Sequence, residues 1–217
     1  MAITHPQDLP HDLIQEMELF LDWPSAGVTN RDRAGRSEYF EHSPVLWNML
    51  IKPVPMDRYE WADWRAFMDS LEGGLFDFLA YDFHRPRPTD WQEHVPSGQT
   101  GTNNVVTLTA NQITVGGLPN DFTMRRGNMI GLRQNIGGVV QRGLFECIEE
   151  SGTNVSGQNS IRVIPHVPTN IFTDAADADI IKPKGRFKID YSSIPRGEVP
   201  GYNSTSFRCV QEPYALI

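Results

Sequence analysis

The sequence predicts a mainly β protein of the α+β class: a small N-terminal sheet covered by one helix, followed by a β-sandwich or barrel. Three observations predict this fold class. Several stretches alternate apolar and polar residues, one stretch repeats apolar residues at spacings of three and four, and 18 Gly and 16 Pro interrupt the chain. A chain of 217 residues is long enough for one large domain or two small ones.

The N-terminal half begins with two predicted strands. In Leu13–Trp23 most apolar side chains share one parity and the acidic ones the other, which predicts a strand with one buried face. Residues 24–36 are rich in Gly, Asn, Asp and Arg and predict a loop or wide hairpin turn before a short strand at 37–41. Val45–Val54 predicts a second strand, which Pro53 should end or place at an edge.

Residues 57–72 are predicted to form the helix. Asp57 and Glu60 have the spacing of a capping box, and the pair Gly73-Gly74 supplies a stop signal. Apolar residues on one face of this helix, with two aromatics of the next strand, are the predicted core: Trp61, Trp64, Phe67, Leu71, Phe76 and Phe78.

Leu75–Phe83 is almost continuously apolar and predicts a central strand paired on both sides. Residues 84–104 then change to Pro, Ser, Gly, Thr and Asn without periodicity, which indicates a linker or exposed loop. The predicted organisation is therefore an N-terminal unit at 1–90, a linker or loop at 91–104 and a β-domain at 105–217. This division is compatible with the two units packing together.

The second half predicts short strands separated by turns, which is typical of a sandwich or barrel. The candidate strands are residues 105–109, 112–115, 128–133, 139–149, 160–165, 170–172, 185–191 and 205–211.

The charge is unevenly distributed along the chain. Residues 1–100 carry 17 Asp or Glu and 8 Lys or Arg, a net charge of −9, whereas residues 101–217 carry 10 and 11, a net charge of +1. An acidic chain does not favour nucleic-acid binding, which needs a basic face. Lys182, Lys184, Arg186 and Lys188 alternate along one predicted strand, as on a solvated or interface face. Docking of acidic and basic halves between copies is a hypothesis from this asymmetry.

The sequence also bears on the compartment in which the chain folds. No apolar stretch approaches the roughly 18 residues of a membrane span, and the first residues lack the pattern of a secretory signal. Cys147 and Cys209 lie far apart in apolar stretches, so we expect buried, reduced thiols, with a disulfide as the alternative.

Residues that would support catalysis, metal binding or cofactor binding are sparse. The sequence has no nucleophile-elbow, phosphate-loop, dinucleotide-binding or HExxH motif, so neither a catalytic site nor a cofactor is predicted. Asp174, Asp177 and Asp179 are candidate calcium ligands, although their spacing is not that of an EF-hand and favours a solvated acidic turn. Glu146 with one of these Asp residues would be the acid–base pair of a hydrolase.

Two stretches resemble a known family. SPVLWNMLIKPVPMDRYEWADWRAFMDSLEGGLFDFLAYDFHRPRP resembles the N-terminal region of distal tail proteins of long-tailed bacteriophages, in which strands and a Trp/Phe-bearing helix precede an apolar strand and a proline-rich exit. MRRGNMIGLRQNIGGVVQRGLFECIEE, NSIRVIPHVPTNI and GRFKIDY are similar to the order of strands and turns in small tail-tip proteins.

The resemblance implies a structural virion protein rather than an enzyme. It implies a ring, expected to be a hexamer, at the distal end of the tail, with a β-domain of tail-tube type. It also implies contacts with the tail tube protein on one side and with hub or fibre proteins on the other. The chain would be synthesised in the host cytoplasm and located at the tail tip of the virion, or in its baseplate. At 217 residues it leaves no room for the carbohydrate-binding or arm domains of larger relatives.

Two other functions remain open from the residues. A β-sandwich carbohydrate-binding module would stack sugars on exposed aromatic rings, for which Trp91, Tyr191, Tyr202 and Tyr214 are the candidates. A neighbouring tail-tip or tube-capping protein would have a similar pattern of strands and turns.

Overall fold

A computed structural model of the chain describes residues 5–22, 30–31, 37–38, 45–194 and 206–212. Within these ranges there is one α-helix, α1 (Arg58–Ser70), and short 3-10 turns lie at His11–Leu13, Glu72–Gly74, Thr89–Trp91 and Tyr191–Ser193. The strands are β1 (Gln7–Asp8), β2 (Ile14–Asp22), β3 (Asn30–Arg31), β4 (Ser37–Glu38), β5 (Leu46–Pro53), β6 (Phe78–Ala80), β7 (Thr102–Thr109), β8 (Gln112–Val115), β9 (Thr123–Met124), β10 (Met129–Ile136), β11 (Val139–Cys147), β12 (Ser151–Gly152), β13 (Asn159–Ile164), β14 (Asp177–Asp179), β15 (Gly185–Ile189) and β16 (Phe207–Gln211).

Two sheets of six strands each make up the body of the fold. The first is an open sheet in the order β1-β6-β15-β16-β5-β2, and the second is a barrel closed in the order β10-β11-β13-β8-β7-β14. Strands dominate and one helix covers a sheet, so the predicted mainly β (α+β) fold class is confirmed.

The predicted N-terminal strands are present with nearly the expected bounds. β2 and β5 pair antiparallel along their whole length, with Met17 opposite Ile51 on the buried face. Pro53 is the last residue of β5, as its missing amide hydrogen predicts. β3 pairs with β4, in agreement with a wide hairpin, while most of the predicted loop at 24–36 lies outside the described residues.

Helix α1 begins at the predicted capping box. The Asp57 carboxylate accepts hydrogen bonds from the backbone amides of Tyr59 and Glu60, and the Glu60 side chain accepts one from the Asp57 amide. These reciprocal hydrogen bonds satisfy backbone amides that have no intrahelical partner at the start of the helix. The apolar stripe of the helix packs on the open sheet, since the Trp64 ring lies 6.0 Å from that of Phe207.

Four of the six predicted core side chains are buried, namely Trp64, Phe67, Leu71 and Phe78. The prediction is wrong for Trp61 and Phe76, which are only half-buried. Trp61 lies beneath the Arg65 guanidinium at 5.2 Å, and Phe76 stacks on His5 at 4.1 Å. Both rings sit at the rim of the helix–sheet core, where one face of each meets a polar ring or cation.

The predicted division into units at 1–90 and 105–217 needs a correction. β15 and β16 belong to the second half of the sequence, yet they lie in the middle of the open sheet between β6 and β5. β6 pairs with β1 on one side and β15 on the other, so its predicted central position is confirmed. Because the chain leaves the open sheet, forms the barrel and returns, the first unit is incomplete without residues from the end of the sequence.

The barrel contains most of the other predicted strands. β8 has the predicted bounds, and the buried side chains of β13 alternate with outward-facing ones, as period two requires. The strand predicted at 170–172 is wrong, because these residues form a turn in which Ile171 and Phe172 are buried. β14 closes the barrel by pairing with both β7 and β10.

Within the described part of the chain, no helix is long and apolar enough to cross a membrane.

Candidate functional site

The stretch that links the open sheet to the barrel is packed rather than free. The Arg85 guanidinium donates to the buried Asp82 carboxylate at 2.7 Å and to the Gly127 carbonyl of the barrel at 2.9 Å. Trp91 is buried, with its ring 4.7 Å from that of Phe122. The predicted linker at 91–104 and exposed loop at 84–104 are therefore corrected, because this stretch contributes to the barrel core and holds the two sheets together.

Two of the three candidate calcium ligands form ion pairs on the barrel. Asp177 and Asp179 flank the buried Ala178 on β14, so both point outward. Asp177 pairs with Arg133 at 2.9 Å, and Asp179 pairs with Arg142 at 3.5 Å. Each pair joins β14 to a strand of the β10–β11 hairpin.

Asp174 is exposed in the turn before β14. Among the described residues, no group of three His, Cys, Asp or Glu side chains is placed to hold a metal ion. The predicted solvated acidic turn fits Asp174, while the other two carboxylates belong to ion pairs across the barrel wall.

Glu146, the glutamate considered for acid–base chemistry, and the nearby Glu149 and Glu150 also bind arginines. Glu146 pairs with Arg85 at 3.4 Å, and Glu149 pairs with Arg162 at 2.7 Å. Glu150 lies 3.7 Å from Arg125. Each of these three carboxylates is therefore engaged in an ion pair.

The two thiols are buried and free, as predicted. Burial raises the pKa of Cys147 to about 11, and burial also raises the pKa of Cys209 well above its ordinary value. The reactive species of a thiol is the thiolate. Both cysteines therefore behave as small apolar core residues rather than as nucleophiles.

No protein-family model matches the chain, and no curated protein matches it.

A depression of about 430 Å³ opens where the open sheet meets the barrel. We call it the basic pocket, and its polar and aromatic lining consists of Tyr81, Phe83, His84, Arg87, Gln92 and Lys182. The first five follow β6 in the sequence, whereas Lys182 lies in the crossover from β14 back to β15. The pocket therefore exists only because the chain returns from the barrel to the open sheet.

The backbone holds the two sides of the basic pocket together. The amide of Lys182 donates to the carbonyl of Pro86 at 2.6 Å, and the Lys182 ammonium lies 5.5 Å from the centre of the Tyr81 ring. Lys182 has a φ of 47°, a left-handed backbone conformation that residues other than glycine seldom adopt. The fold thus fixes the position of Lys182 at some conformational cost.

The side chains of the two cations in the basic pocket, unlike most described Arg and Lys side chains, make neither a hydrogen bond nor an ion pair. Of the Arg and Lys side chains that the structure describes, only three make neither a hydrogen bond nor an ion pair: Arg58, Arg87 and Lys182. Two of the three line the basic pocket, and no described carboxylate lines it. A cluster of free donors without acceptors is chemically suited to a negatively charged oxygen ligand.

The alternating cations at 182–188 are visible in the sequence, which predicts that they share one solvated or interface face of a strand. In the structure Lys184 pairs with Asp8 at 2.7 Å, Arg186 pairs with Asp77, and Lys188 pairs with Glu212 at 3.0 Å. Only Lys182 remains free for a partner. Arg87 lies in the stretch predicted to be a linker, and no local pattern connects it to Lys182.

His11 supports the basic pocket from behind. Its ring stacks on that of Tyr81 at 4.1 Å, and Nε2–H donates to the Tyr81 carbonyl at 3.3 Å. Burial lowers the pKa of His11 from its ordinary value of 6.5; Lys184 acts in the same direction and Asp8 against it. The neutral ring is therefore the form that this packing favours.

We expect the free energy of unfolding to fall as the pH drops below 6.5, the ordinary pKa of histidine. The unfolded chain then binds a proton at His11 more readily than the folded chain does. The contribution of His11 to the free energy of unfolding is therefore complete above this pH and is lost as the pH falls through the lowered pKa of the folded chain. Urea unfolding at several pH values should show that the free energy of unfolding depends less on pH in this window for His11→Gln than for the original chain. The control is the exposed His166→Gln variant, and an unchanged pH dependence in His11→Gln would contradict the prediction.

A second surface with free polar groups lies on α1. Tyr59 is 81% exposed, and Asp63 is exposed and makes no hydrogen bond or ion pair with any described residue. Residues four apart lie on the same face of a helix. Tyr59 and Asp63, which we call the acidic–aromatic pair, therefore present a ring and a carboxylate side by side to solvent.

Proposed function

We propose that the chain is a structural virion protein that forms a ring at the distal end of a bacteriophage tail. The ring, expected to be a hexamer, joins the tail tube to the hub or fibre proteins of the tail tip. The resemblance of the stretches at 43–88 and 124–191 to distal tail and tail-tip proteins suggests this function, and the barrel is the part expected to be of tail-tube type.

The observation that carries the proposal is the way in which the two sheets are joined. The open sheet takes two of its middle strands, β15 and β16, from the chain that follows the barrel. In addition, the indole of Trp47 in β5 donates to the carbonyl of Leu144 in β11 at 2.8 Å. A subunit of a closed ring contacts its two neighbours through different faces, so those faces need a fixed relative orientation. Two interlocked sheets provide such a body.

The polar groups support an assembly role over catalysis. The carboxylates considered for a hydrolase, Glu146 and Asp179, bind Arg85 and Arg142. Free charges are present, by contrast, at the basic pocket and at the acidic–aromatic pair, on the outside of the fold. Opposite charges on exposed surfaces favour recognition between proteins.

The carbohydrate-binding alternative loses one of its candidate residues. Trp91 is buried against Phe122, so its ring is not available for stacking on a sugar. Tyr191 is half-buried in a 3-10 turn, where its hydroxyl donates to the Met68 carbonyl at 3.5 Å. Tyr202 and Tyr214 lie outside the described residues.

The proposal is tested by the mass of the purified chain in solution. Light scattering at two concentrations should give the mass of a closed ring, and negative-stain images of the same sample should contain rings with a central channel. Gold-labelled antibody should then mark the tail tip of the virion, and its position along the tip distinguishes a distal ring from a neighbouring tail-tip or tube-capping protein.

One combined outcome would overturn the proposal. Rings of this kind can close only on the tube, so the second arm mixes the chain with assembled tail tubes of the phage that encodes it. A chain that remains monomeric at both concentrations and binds no tube is not a ring protein of the tail tip. Binding to a glycan array by the same sample would then favour the carbohydrate-binding alternative.

A further inference from the structure

We infer that the basic pocket of one copy of the chain receives the acidic–aromatic pair of a second copy. This inference rests on the proposed function, because it names the contact through which neighbouring subunits of the ring would recognise each other. Asp63 would meet the cations Arg87 and Lys182, and the Tyr59 ring would lie against the aromatic wall of the pocket.

The first argument is the match of chemistry between the two surfaces. The basic pocket offers the free guanidinium of Arg87 and the free ammonium of Lys182, beside the half-buried rings of Tyr81 and Phe83. The acidic–aromatic pair offers one free carboxylate beside one exposed ring. The two surfaces thus carry opposite charges, and each has an aromatic ring that can pack against the other.

The second argument concerns the kind of ligand that fits an open pocket. His84, Gln92 and Lys182 are exposed, so the depression would leave much of a small molecule in contact with water. Sites for small ligands bury most of the ligand surface. Separate exposed ion pairs are also weak. A side chain carried on a larger complementary surface suits this pocket better than a free anion.

The third argument is that the whole chain is acidic, with a net charge of −8. A like net charge opposes association of two copies, and a basic surface of one that meets an acidic surface of the other reduces this repulsion. No residue of α1 lines the basic pocket, so the contact joins two different surfaces. A contact of this kind repeats from copy to copy and generates a ring when the rotation closes.

The inference is tested with two charge-reversal variants of the full chain. The pocket variant carries Arg87→Glu and Lys182→Glu, and the helix variant carries Asp63→Lys. None of the three side chains makes a hydrogen bond or ion pair with a described residue, so folding should be preserved, and circular dichroism checks this. Analytical ultracentrifugation should give each variant alone an association constant lower than that of the original chain by about tenfold or more.

Mixing the two variants provides the decisive arm. The helix of the pocket variant and the pocket of the helix variant are unchanged, and the two reversed surfaces again carry opposite charges, so the mixture should associate although each variant alone associates weakly. The variant with all three substitutions should regain self-association. Arg126→Glu and Asp174→Lys are controls for the change of charge, because both residues are exposed and lie outside the two surfaces, and both should leave association unchanged. Arg126 donates to the Ile148 carbonyl at 2.9 Å, so circular dichroism also checks the folding of this control.

The outcomes separate this contact from the proposed function. Rings that form equally well from the pocket variant would overturn the contact and leave the ring proposal intact. Association of the mixture, together with open filaments rather than rings from the original chain, would support the contact and contradict the ring. Monomers in the mixture and in the original chain at the highest soluble concentration would overturn the contact.

Discussion

Replacing Trp47 by alanine should lower the free energy of unfolding by about 3–5 kcal/mol, the usual cost of removing a large aromatic side chain from a core. Trp47 is 1% exposed on the buried face of β5. Its indole N–H donates to the Leu144 carbonyl at 2.8 Å, and its backbone amide donates to the Gln211 side chain at 3.1 Å. The residue therefore contacts the barrel and the C-terminal strand at once.

Because Trp47 joins the open sheet to the barrel, its loss should also affect cooperativity. The original chain should unfold in a single transition, since the two sheets share strands and core residues. In Trp47→Ala the cavity lies at the junction of the two sheets, so we expect the urea transition followed by far-UV circular dichroism to broaden. This corresponds to a smaller dependence of the free energy on urea concentration.

Trp47→Phe separates the hydrogen bond from the packing. Phenylalanine keeps most of the ring but has no N–H group, so the Leu144 carbonyl loses this donor at a cost of about 1–3 kcal/mol. Tyr59→Ala is the control, because Tyr59 is 81% exposed and its removal should change stability by about 0.5 kcal/mol or less. A loss below about 1 kcal/mol in Trp47→Ala would mean that the two sheets do not depend on this contact.

The parts of the fold that the sequence predicts well are those fixed by local signals. The bounds of α1 follow from the Asp57–Glu60 capping box and from the apolar spacing that buries Trp64 and Phe67. β5 ends at Pro53, and β8 has the predicted bounds, because alternation and proline act within a few residues.

The partners of a strand are not encoded in its alternation. β15 alternates buried and half-buried residues just as a barrel strand does, yet it pairs with β6 and β16 in the open sheet. For the same reason the predicted boundary at 105 misplaced both C-terminal strands. Composition misled in a similar way at 84–104, where Pro88 and Trp91 are buried although the stretch has no periodicity.

The candidate site was the least predictable part of the molecule. Arg87 and Lys182 come together only through the return of the chain from β14 to β15, a feature of topology. Asp177 and Asp179, by contrast, have a visible acidic pattern, but arginines on neighbouring strands neutralise both. Whether a charge is free depends on partners distant in sequence, so a charge pattern alone does not identify a binding surface.

Replacing Gly101 by alanine should lower the free energy of unfolding by about 2–4 kcal/mol, from the cost of a left-handed backbone and of overpacking together. Gly101 is buried immediately before β7 and has a φ of 81°. A Cβ atom there would lie 2.5 Å from the Cβ of Ile181, closer than real Cβ contacts. The Gly101 carbonyl also accepts a hydrogen bond from the Ile180 amide at 2.7 Å, next to the pairing of β7 with β14 that closes the barrel.

Gly98→Ala is a matched control for this prediction. Gly98 has a φ of 85°, but no atom lies within 4 Å of its added Cβ. Its substitution should therefore cost only the backbone term, about 1–2 kcal/mol. Urea unfolding followed by circular dichroism compares the two variants directly. Equal losses would mean that the left-handed backbone alone sets the cost, whereas a larger loss in Gly101→Ala would measure the added cost of overpacking against Ile181.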